Sequence, residues 1–406
     1  MAHVLQQLRK GRPPTGGGES RVRGSASGRK QVLPELWHHH PGKSHCVWRA
    51  GRVFPLTYEA FLSDPITNSR LTVLVPAYNE GTTLADTLRS LQAQTLLPEK
   101  VLVIDDCSTD NTAEIARSFG VTVLRPPQNT GSKAGAQNFA MSFVKTEFTM
   151  AIDADTTLAP NAIELLMQAL DNPKIAAACG LVLPRFVRTV WERGRYIEYL
   201  FAFSFYKPIQ DYYERPLISS GCFSVYRTDI LRANGCWRTR TMAEDMDLTW
   251  SFYAAHQGVR FIPEAVCYPV EPHNYAFMSK QLRRWSHGFI QNVVVHWRHL
   301  LRIPFLRAAV MISLWDAIIA SLAYLVLLPC LAVFVSPLFL LGYLIDAPAV
   351  AVPVLIKAAE RRELGKALAS LPSFFVLRTV NSVFLLQAIW REWVLRKRLM
   401  VYEKGH

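Results

Sequence analysis

The stretch Phe148-Thr-Met-Ala-Ile-Asp-Ala-Asp-Thr-Thr-Leu158 sets the fold of this chain. An apolar run from Phe148 to Ile152 delivers two carboxylates, Asp153 and Asp155, one residue apart. Bounded by a polar turn and followed by Pro160 and a helical pattern, the run predicts a buried strand. In a parallel sheet, ligands sit beyond the carboxyl ends of strands. Two carboxylates there can hold a hard divalent cation, which prefers oxygen ligands and shares them with a substrate's phosphates. Alone, an Asp-x-Asp says little, because turns are rich in Asp.

Upstream, the pattern alternates strand and helix from Arg70. Leu71 to Val75 predicts a strand, with Pro76-Ala77-Tyr78-Asn79-Glu80-Gly81 as its turn, and Leu84, Leu88 and Leu91 give Thr83–Gln94 helical spacing. Lys100 to Ile104 is a second strand, ending at Asp105-Asp106. The next helix starts near Asn111, and Glu114 three residues on suggests a capping box. Val121–Leu124, a helix over Lys133–Val144 and Phe148–Ile152 follow. Strands alternating with helices of this length predict a doubly wound, mostly parallel α/β sheet. Three strand ends then carry polar groups at one edge: Tyr78 with Glu80, Asp105 with Asp106, and Asp153 with Asp155. One such end reads as a capped turn; three at one edge suggest a ligand. The first strand leads into neither a Gly-x-Gly-x-x-Gly nor a Walker loop, which disfavours a dinucleotide or P-loop site. Lys133 opens its helix at a Gly-Ser turn, so a phosphate clamp and an ordinary surface lysine are both open.

Downstream, Ile175–Pro184 predicts another strand, and the aromatic-rich Trp191–Tyr213 a core helix, with a bilayer interface or sugar surface as alternatives. Ser219-Ser220-Gly221-Cys222-Phe223 reads as a tight Gly turn into a strand. Met242-Ala243-Glu244-Asp245-Met246-Asp247 places three acids at a helix start, where they suit the helix dipole or supply a general base. Gln281-Leu282-Arg283-Arg284-Trp285 puts an amide, a guanidinium and an indole on one helical face, fit for a pyrophosphate and a flat apolar ligand.

The chain has 406 residues, enough for two or more domains. Half are hydrophobic, and the excess is local: Ala308 to Ile356 carries only Asp316 and Asp346 as charges. That run is about twice the roughly 20 residues that span a bilayer, and Ser336-Pro337 divides it into spans near 308–333 and 337–357. Lys357, Arg361, Arg362 and Lys366 follow, so by the positive-inside rule both flanks of the hairpin are cytoplasmic. Leu371–Trp390 is apolar enough to cross, but Arg378, Asn381 and Gln387 are costly at bilayer depth. An interfacial or re-entrant helix there gives two crossings rather than three. Ser286–Phe305 reads as an amphipathic interface helix. The formal charge of +13 is spread over the first 70 residues and around the apolar run, which suits an anionic membrane face. Nucleic acid is disfavoured as a partner, since carboxylates at the strand ends repel phosphate. The seven scattered cysteines suggest neither a disulfide framework nor a zinc site. Met1–Lys10 lacks the apolar core of a signal peptide. The expected organisation is a disordered basic arm over 1–45, with His38–His40 discounted as metal ligands, and a catalytic domain with its adapter over 46–285. An interface helix over 286–306, a hairpin over 307–357 and a basic C-terminal region over 358–406 complete it.

In that order, Val75-Pro76-Ala77-Tyr78-Asn79-Glu80, Asp105-Asp106, Asp153-Ala154-Asp155, Glu244-Asp245 and Gln281-Leu282-Arg283-Arg284-Trp285 resemble membrane-bound family-2 glycosyltransferases with a GT-A fold. The likeness is greatest to processive β-glycosyltransferases such as cellulose, chitin, hyaluronan and poly-N-acetylglucosamine synthases. It covers roughly Leu71 to Val293, and departs from the family in having Ala243 where Thr is common. The resemblance implies an inverting, metal-dependent transfer from a UDP-sugar to a growing β-linked polysaccharide, with the catalytic domain cytoplasmic. Tyr78 and Glu80 would line the nucleoside pocket, Asp105 or Asp106 would bond the uracil, and Lys133 would face the diphosphate. Asp153 would lie near ribose and metal, and Asp155 would ligate Mg2+ or Mn2+. Asp245, beside Glu244, would deprotonate the acceptor. Gln281, Arg284 and Trp285 would hold the leaving diphosphate and frame the acceptor sugar. Two or three spans are few for a polymer channel in one subunit, so either several copies assemble one or a single sugar goes to a lipid or protein acceptor. A non-catalytic nucleotide-sugar-binding scaffold is the rival from another class, and the full set of acids argues against it.

Overall fold

A computed structural model describes residues 70–345 and 347–400. The basic arm, the His38–His40 run and the Val47–Ser69 adapter lie outside the described residues, as do residues 401–406.

The chain begins as read: β1 (Leu71–Ala77), α1 (Leu84–Gln92), β2 (Lys100–Asp105), α2 (Thr112–Ser118), β3 (Thr122–Leu124), α3 (Lys133–Ala140) and β4 (Phe148–Ile152). Next come β5 (Thr157–Leu158), α4 (Ala162–Gln168), β6 (Ile175–Val182), α5 (Val190–Phe201), α6 (Lys207–Tyr212), β7 (Phe223–Arg227), α7 (Thr228–Ala233), α8 (Glu244–Ala254), β8 (Gly258–Tyr268) and α9 (Tyr275–Val295). The eight strands form one sheet in the order β3-β2-β1-β4-β7-β6-β8-β5. Strands β3, β2, β1 and β4 are mutually parallel, with Ala77 opposite Asp105 and Leu74 opposite Ala151. Beyond β4 the sheet is mixed: β7 runs antiparallel to β4 and β6, and β8 parallel to β6. The parallel half fixes the site, because it brings the carboxyl ends of β1, β2 and β4 side by side.

Side-chain alternation along β1 explains why both faces are covered. Leu71, Val73 and Val75 pack with Leu84 and Leu88 of α1 and with Ile163 and Leu166 of α4. Leu74, facing the other way, joins Ala136 of α3 and Trp250 of α8. A strand buried on both faces needs a continuous apolar run, which is what the sequence supplies.

Three local expectations are corrected. The capping box at Asn111 does not form; Asp110 Oδ1 instead accepts from the Thr112 amide at 3.0 Å. The aromatic helix runs on from α5 through a π turn over Ala202–Tyr206 into α6, but Phe205, Tyr206, Tyr212 and Tyr213 are exposed, so it is a core helix only in its first half. The boundary expected at 285/286 falls inside α9, which runs unbroken from Tyr275 to Val295, so the Gln281–Trp285 element shares one helix with the first part of the 286–306 segment.

After α10 (Trp297–Arg302) come three helical stretches that, by length and composition, could cross a membrane: α11 (Pro304–Phe334), α12 (Pro337–Glu360) and α13 (Leu364–Val394). The first two bury little of their surface, whereas α13 is the most covered. Both of its ends touch the sheet domain. Just before its start, Glu363 accepts from the Tyr196 hydroxyl of α5 at 3.2 Å, and Lys366 sits 4.4 Å above the Tyr196 ring. Midway, Leu377 and Phe384 pack with Met278 and Leu282 of α9. At its end Glu392 meets His287 of α9 at 2.7 Å.

Candidate functional site

The strand ends are shaped by two residues in left-handed backbone, Asn79 (φ 55) and Cys107 (φ 64). Asn tolerates that conformation; for Cys it is uncommon. The sharp turn at Cys107 follows two acids that separate. Asp105 is fully buried and is held by Arg125 at 2.6 Å and the Ser108 amide at 2.9 Å, away from the cavity. Asp106 faces the cavity and accepts from the Thr130 amide at 2.8 Å and the Thr130 hydroxyl at 2.9 Å. Of the two, Asp106 is the one positioned to meet a ligand.

At the end of β4, Asp153 forms an ion pair with Lys133 of α3, and the Lys133 ammonium also donates to the Gly221 carbonyl at 2.9 Å. Burial works against that ammonium, but Asp153 and then Glu244 outweigh it, so its pKa lies above that of an ordinary lysine. Asp155 carries the opposite burden. Burial, then the like charges of Asp153 and Glu80, push its carboxyl well above the usual range.

Across the cavity, α8 opens with Glu244 and Asp245. Asp245 accepts from the Gly221 amide at 2.9 Å and from the Met246 amide at 2.8 Å. A Cβ on Gly221 would lie 2.9 Å from the Asp245 carboxylate, so any larger residue there would push that carboxylate aside. Burial and then the Asp245 charge raise the Glu244 carboxyl, with Lys133 and Arg284 pulling the other way.

These groups line one cavity of about 1300 Å³. Tyr78, Glu80, Asp106, Lys133, Asp153, Asp155, Glu244, Asp245, Gln281, Arg284 and Trp285 all line it; of the residues singled out from sequence, Asp105, Asp247 and Arg283 do not. The cavity continues between α11 and α13, past Ile312, Asp316, Arg378 and Leu385, where Arg378 pairs with Asp316 at 3.1 Å.

Sequence reasoning missed Arg195 of α5. Its side chain is fully buried. It donates to Gln281 Oε1 at 2.6 Å, lies 4.5 Å from the centre of the Trp285 ring, and sits 3.5 Å from Glu271. Glu271 in turn accepts from the Tyr199 hydroxyl at 2.8 Å. Arg195 thus fixes Gln281 and Trp285, two of the cavity-lining residues of α9. Arg193 and Arg195 both fall in the same aromatic helical pattern, and nothing in the sequence separates the buried one from the other.

Asp155 is the group best suited to hold a divalent cation, because the negative charge gathered around it is what a cation relieves. No group of three His, Cys, Asp or Glu among the described residues could hold a metal unaided. A cation such as Mg2+ needs only one or two protein carboxylates where substrate phosphates complete its shell.

Comparison with known proteins adds to this geometry. Residues 72–235 match the profile of glycosyl transferase family 2. A poly-β-1,6-N-acetyl-D-glucosamine synthase of Staphylococcus epidermidis is 28% identical over 223 residues, 54% of this chain and 54% of that protein. The corresponding synthase of Staphylococcus aureus is 26% identical over 222 residues, again 54% of each. The chain thus spans about half the length of the curated relatives it matches. A solved mannosyltransferase from Pyrobaculum calidifontis, in complex with GDP-Man and Mn2+, superposes with a TM-score of 0.51 at 20% identity. That match covers 82% of this chain and 90% of the other, and the likeness is one of fold.

Asp247, two residues after Asp245, is buried and bonded to Arg240 through both oxygens at 2.7 Å and to His296 at 2.7 Å. Burial alone would raise its carboxyl, but the hydrogen bonds from Arg240 and His296 outweigh it and hold it at about 2, from 3.8. A depressed folded pKa stabilises the fold above the unfolded value and loses that contribution as pH falls towards about 2. The loss is on the order of 2 kcal/mol. Asp247→Asn should therefore be less stable at pH 7 and show a flatter acid limb between about pH 4 and 2 in detergent-solubilised unfolding.

Proposed function

We propose, from the premise that the chain carries a glycosyl transferase family 2 domain, that it is an inverting enzyme moving a sugar from a UDP-sugar to a growing β-linked polysaccharide at a membrane. The observation that carries this is the convergence of Asp106, Asp153, Asp155 and Asp245, with Lys133 and Arg284, on one cavity. The staphylococcal relatives, both polymer synthases by name, support the polymer.

Tyr78, Glu80 and Asp106 would hold the nucleoside at the ends of β1 and β2. Lys133 and Arg284 would face the diphosphate and meet the charge it gains on leaving. Asp155, with Asp153 beside it, would hold Mg2+ or Mn2+. Such a cation, when bound, stabilises the leaving diphosphate as a Lewis acid. Asp245, the base in this reading, takes the proton of the acceptor hydroxyl as its oxygen bonds to the anomeric carbon and the bond to the diphosphate breaks. The two backbone amides on Asp245 fix its direction. One displacement inverts the centre, so an α-linked donor gives a β-linked product. Gln281 and Trp285, steadied by Arg195, would frame the acceptor sugar.

A second reading, transfer of one sugar to a lipid acceptor, is favoured by the cavity's extension between α11 and α13. Incubation with a panel of radiolabelled UDP-sugars and Mn2+ or Mg2+, followed by sizing, separates the two: a ladder or long product supports the polymer, a single extractable glycolipid the alternative. Asp245→Asn should lower transfer at least about 100-fold while UDP binding by calorimetry stays within about twofold of wild type. Retention of most of the turnover removes Asp245 from the base role.

For the membrane arrangement, we propose that α11 and α12 cross and that α13 lies along the interface, with the sheet domain cytoplasmic. Its 31 residues span about 45 Å as helix, yet both ends bond to the sheet domain. A reporter fused after residue 406 should read cytoplasmic; an extracytoplasmic signal overturns two crossings in favour of three.

A further inference from the structure

The acidic side chain at the end of α13 stands apart from the cavity and has no part in the mechanism above, yet it is buried against the helix that supports the proposed base. The Glu392 side chain is 4% exposed. Its Oε1 accepts from His287 Nδ1 at 2.7 Å, Gln291 Nε2 at 2.8 Å and the Leu399 amide at 3.0 Å. Gln291 passes the contact on: its Oε1 accepts from the Met242 amide at 2.8 Å. One residue along α9, Asn292 Nδ2 donates to the Ala243 carbonyl at 3.0 Å. A Cβ on Gly288 would lie 2.6 Å from that of Ala243 and 2.8 Å from its amide nitrogen. Residues 242–243 are therefore seated on α9 immediately before Glu244 and Asp245.

We propose that Glu392 is a positioning residue for the transfer reaction, orienting Gln291 and His287 so that the 242–243 segment presents Asp245 at a fixed distance from the acceptor. The inference rests on the function proposed above. The physical grounds are local. A buried carboxylate that receives three donors gives them strong, directional bonds. Gln291 has two ways to turn its amide, and donation to Glu392 and to the Leu399 carbonyl at 2.8 Å selects the one that leaves Oε1 for Met242. His287 Nε2 has no hydrogen-bond partner among the described residues, so Glu392 is what sets that ring's orientation. Through these contacts the seating of α13 sets the geometry of the base, although Glu392 touches neither donor nor acceptor.

The test uses the full chain in lipid nanodiscs and compares wild type, Glu392→Leu, Gln291→Leu and the conservative Glu392→Gln. UDP-sugar turnover, donor KM and hydrogen exchange over residues 241–246 are measured for each. Glu392→Leu and Gln291→Leu should each lower kcat about tenfold or more, as small misplacement of a reacting group does, with donor KM within about twofold and faster exchange over that segment. Glu392→Gln keeps Oε1 as the acceptor for all three donors, so at least half of kcat and the protection should remain. Wild-type kcat in Glu392→Leu overturns the proposal. So does a loss of kcat in Glu392→Leu matched by an equal rise in donor KM, which marks a general loss of fold. If wild type transfers no sugar from any UDP donor, the functional reading falls by itself. The exchange measurement still decides the contact: unchanged protection in Glu392→Leu overturns it.

Discussion

Like charges gathered at one edge of a sheet are the constraint around which this structure is built. Parallel pairing of β1, β2 and β4 forces their carboxyl ends together, and with them Glu80, Asp106, Asp153 and Asp155. Repulsion between such groups in a partly desolvated cavity is costly. The fold offsets it in two ways. Lys133, at the start of α3, is drawn into an ion pair with Asp153 and stays charged despite its burial. Asp106 is supplied with a backbone amide and a hydroxyl. Asp155 receives less, a single hydroxyl from Thr156 at 3.1 Å, and its excess charge is left to be met by a ligand.

The parallel half of the sheet was legible in the sequence because its strands are buried on both faces, so their apolar runs are unbroken and their ends abrupt. Period and punctuation sufficed there. The choice between Asp105 and Asp106 was not legible, since adjacent residues leave a strand on opposite sides and only the turn at Cys107 decides which side is the cavity. The antiparallel pairing of β7 was hidden for a related reason: strand direction leaves no mark on composition. Arg195 was missed because its contacts with Gln281 and Trp285 join positions some ninety residues apart. Nothing local to Trp191–Tyr213 reports what packs against it.

The apolar C-terminal helices show where composition stops being informative. Helix α13 resembles α11 and α12 in apolar character, yet its Leu377 and Phe384 are buried with Met278 and Leu282 of α9. Its polar residues have different neighbours too: Arg378 meets Asp316 of α11, and Glu392 meets α9. A helix packed between the sheet domain and two other apolar helices needs apolar groups on both sides, whether or not it crosses a membrane.

Helix α9 joins two parts that might have been independent. Near its middle it displays Gln281, Arg284 and Trp285 to the cavity; two turns further on, Gly288, Gln291 and Asn292 grip the residues that lead into Asp245. His296, at its end, holds Asp247 on the same helix α8. Trp285 and Asp245 are therefore both braced by one helix, while Asp106, Asp153 and Asp155 lie beyond the ends of β2 and β4. Asp245 is also bonded to the Gly221 amide just before β7, so a shift of α9 cannot carry that carboxylate from the sheet without breaking that bond. The two sides of the cavity are thereby pinned together at one backbone amide.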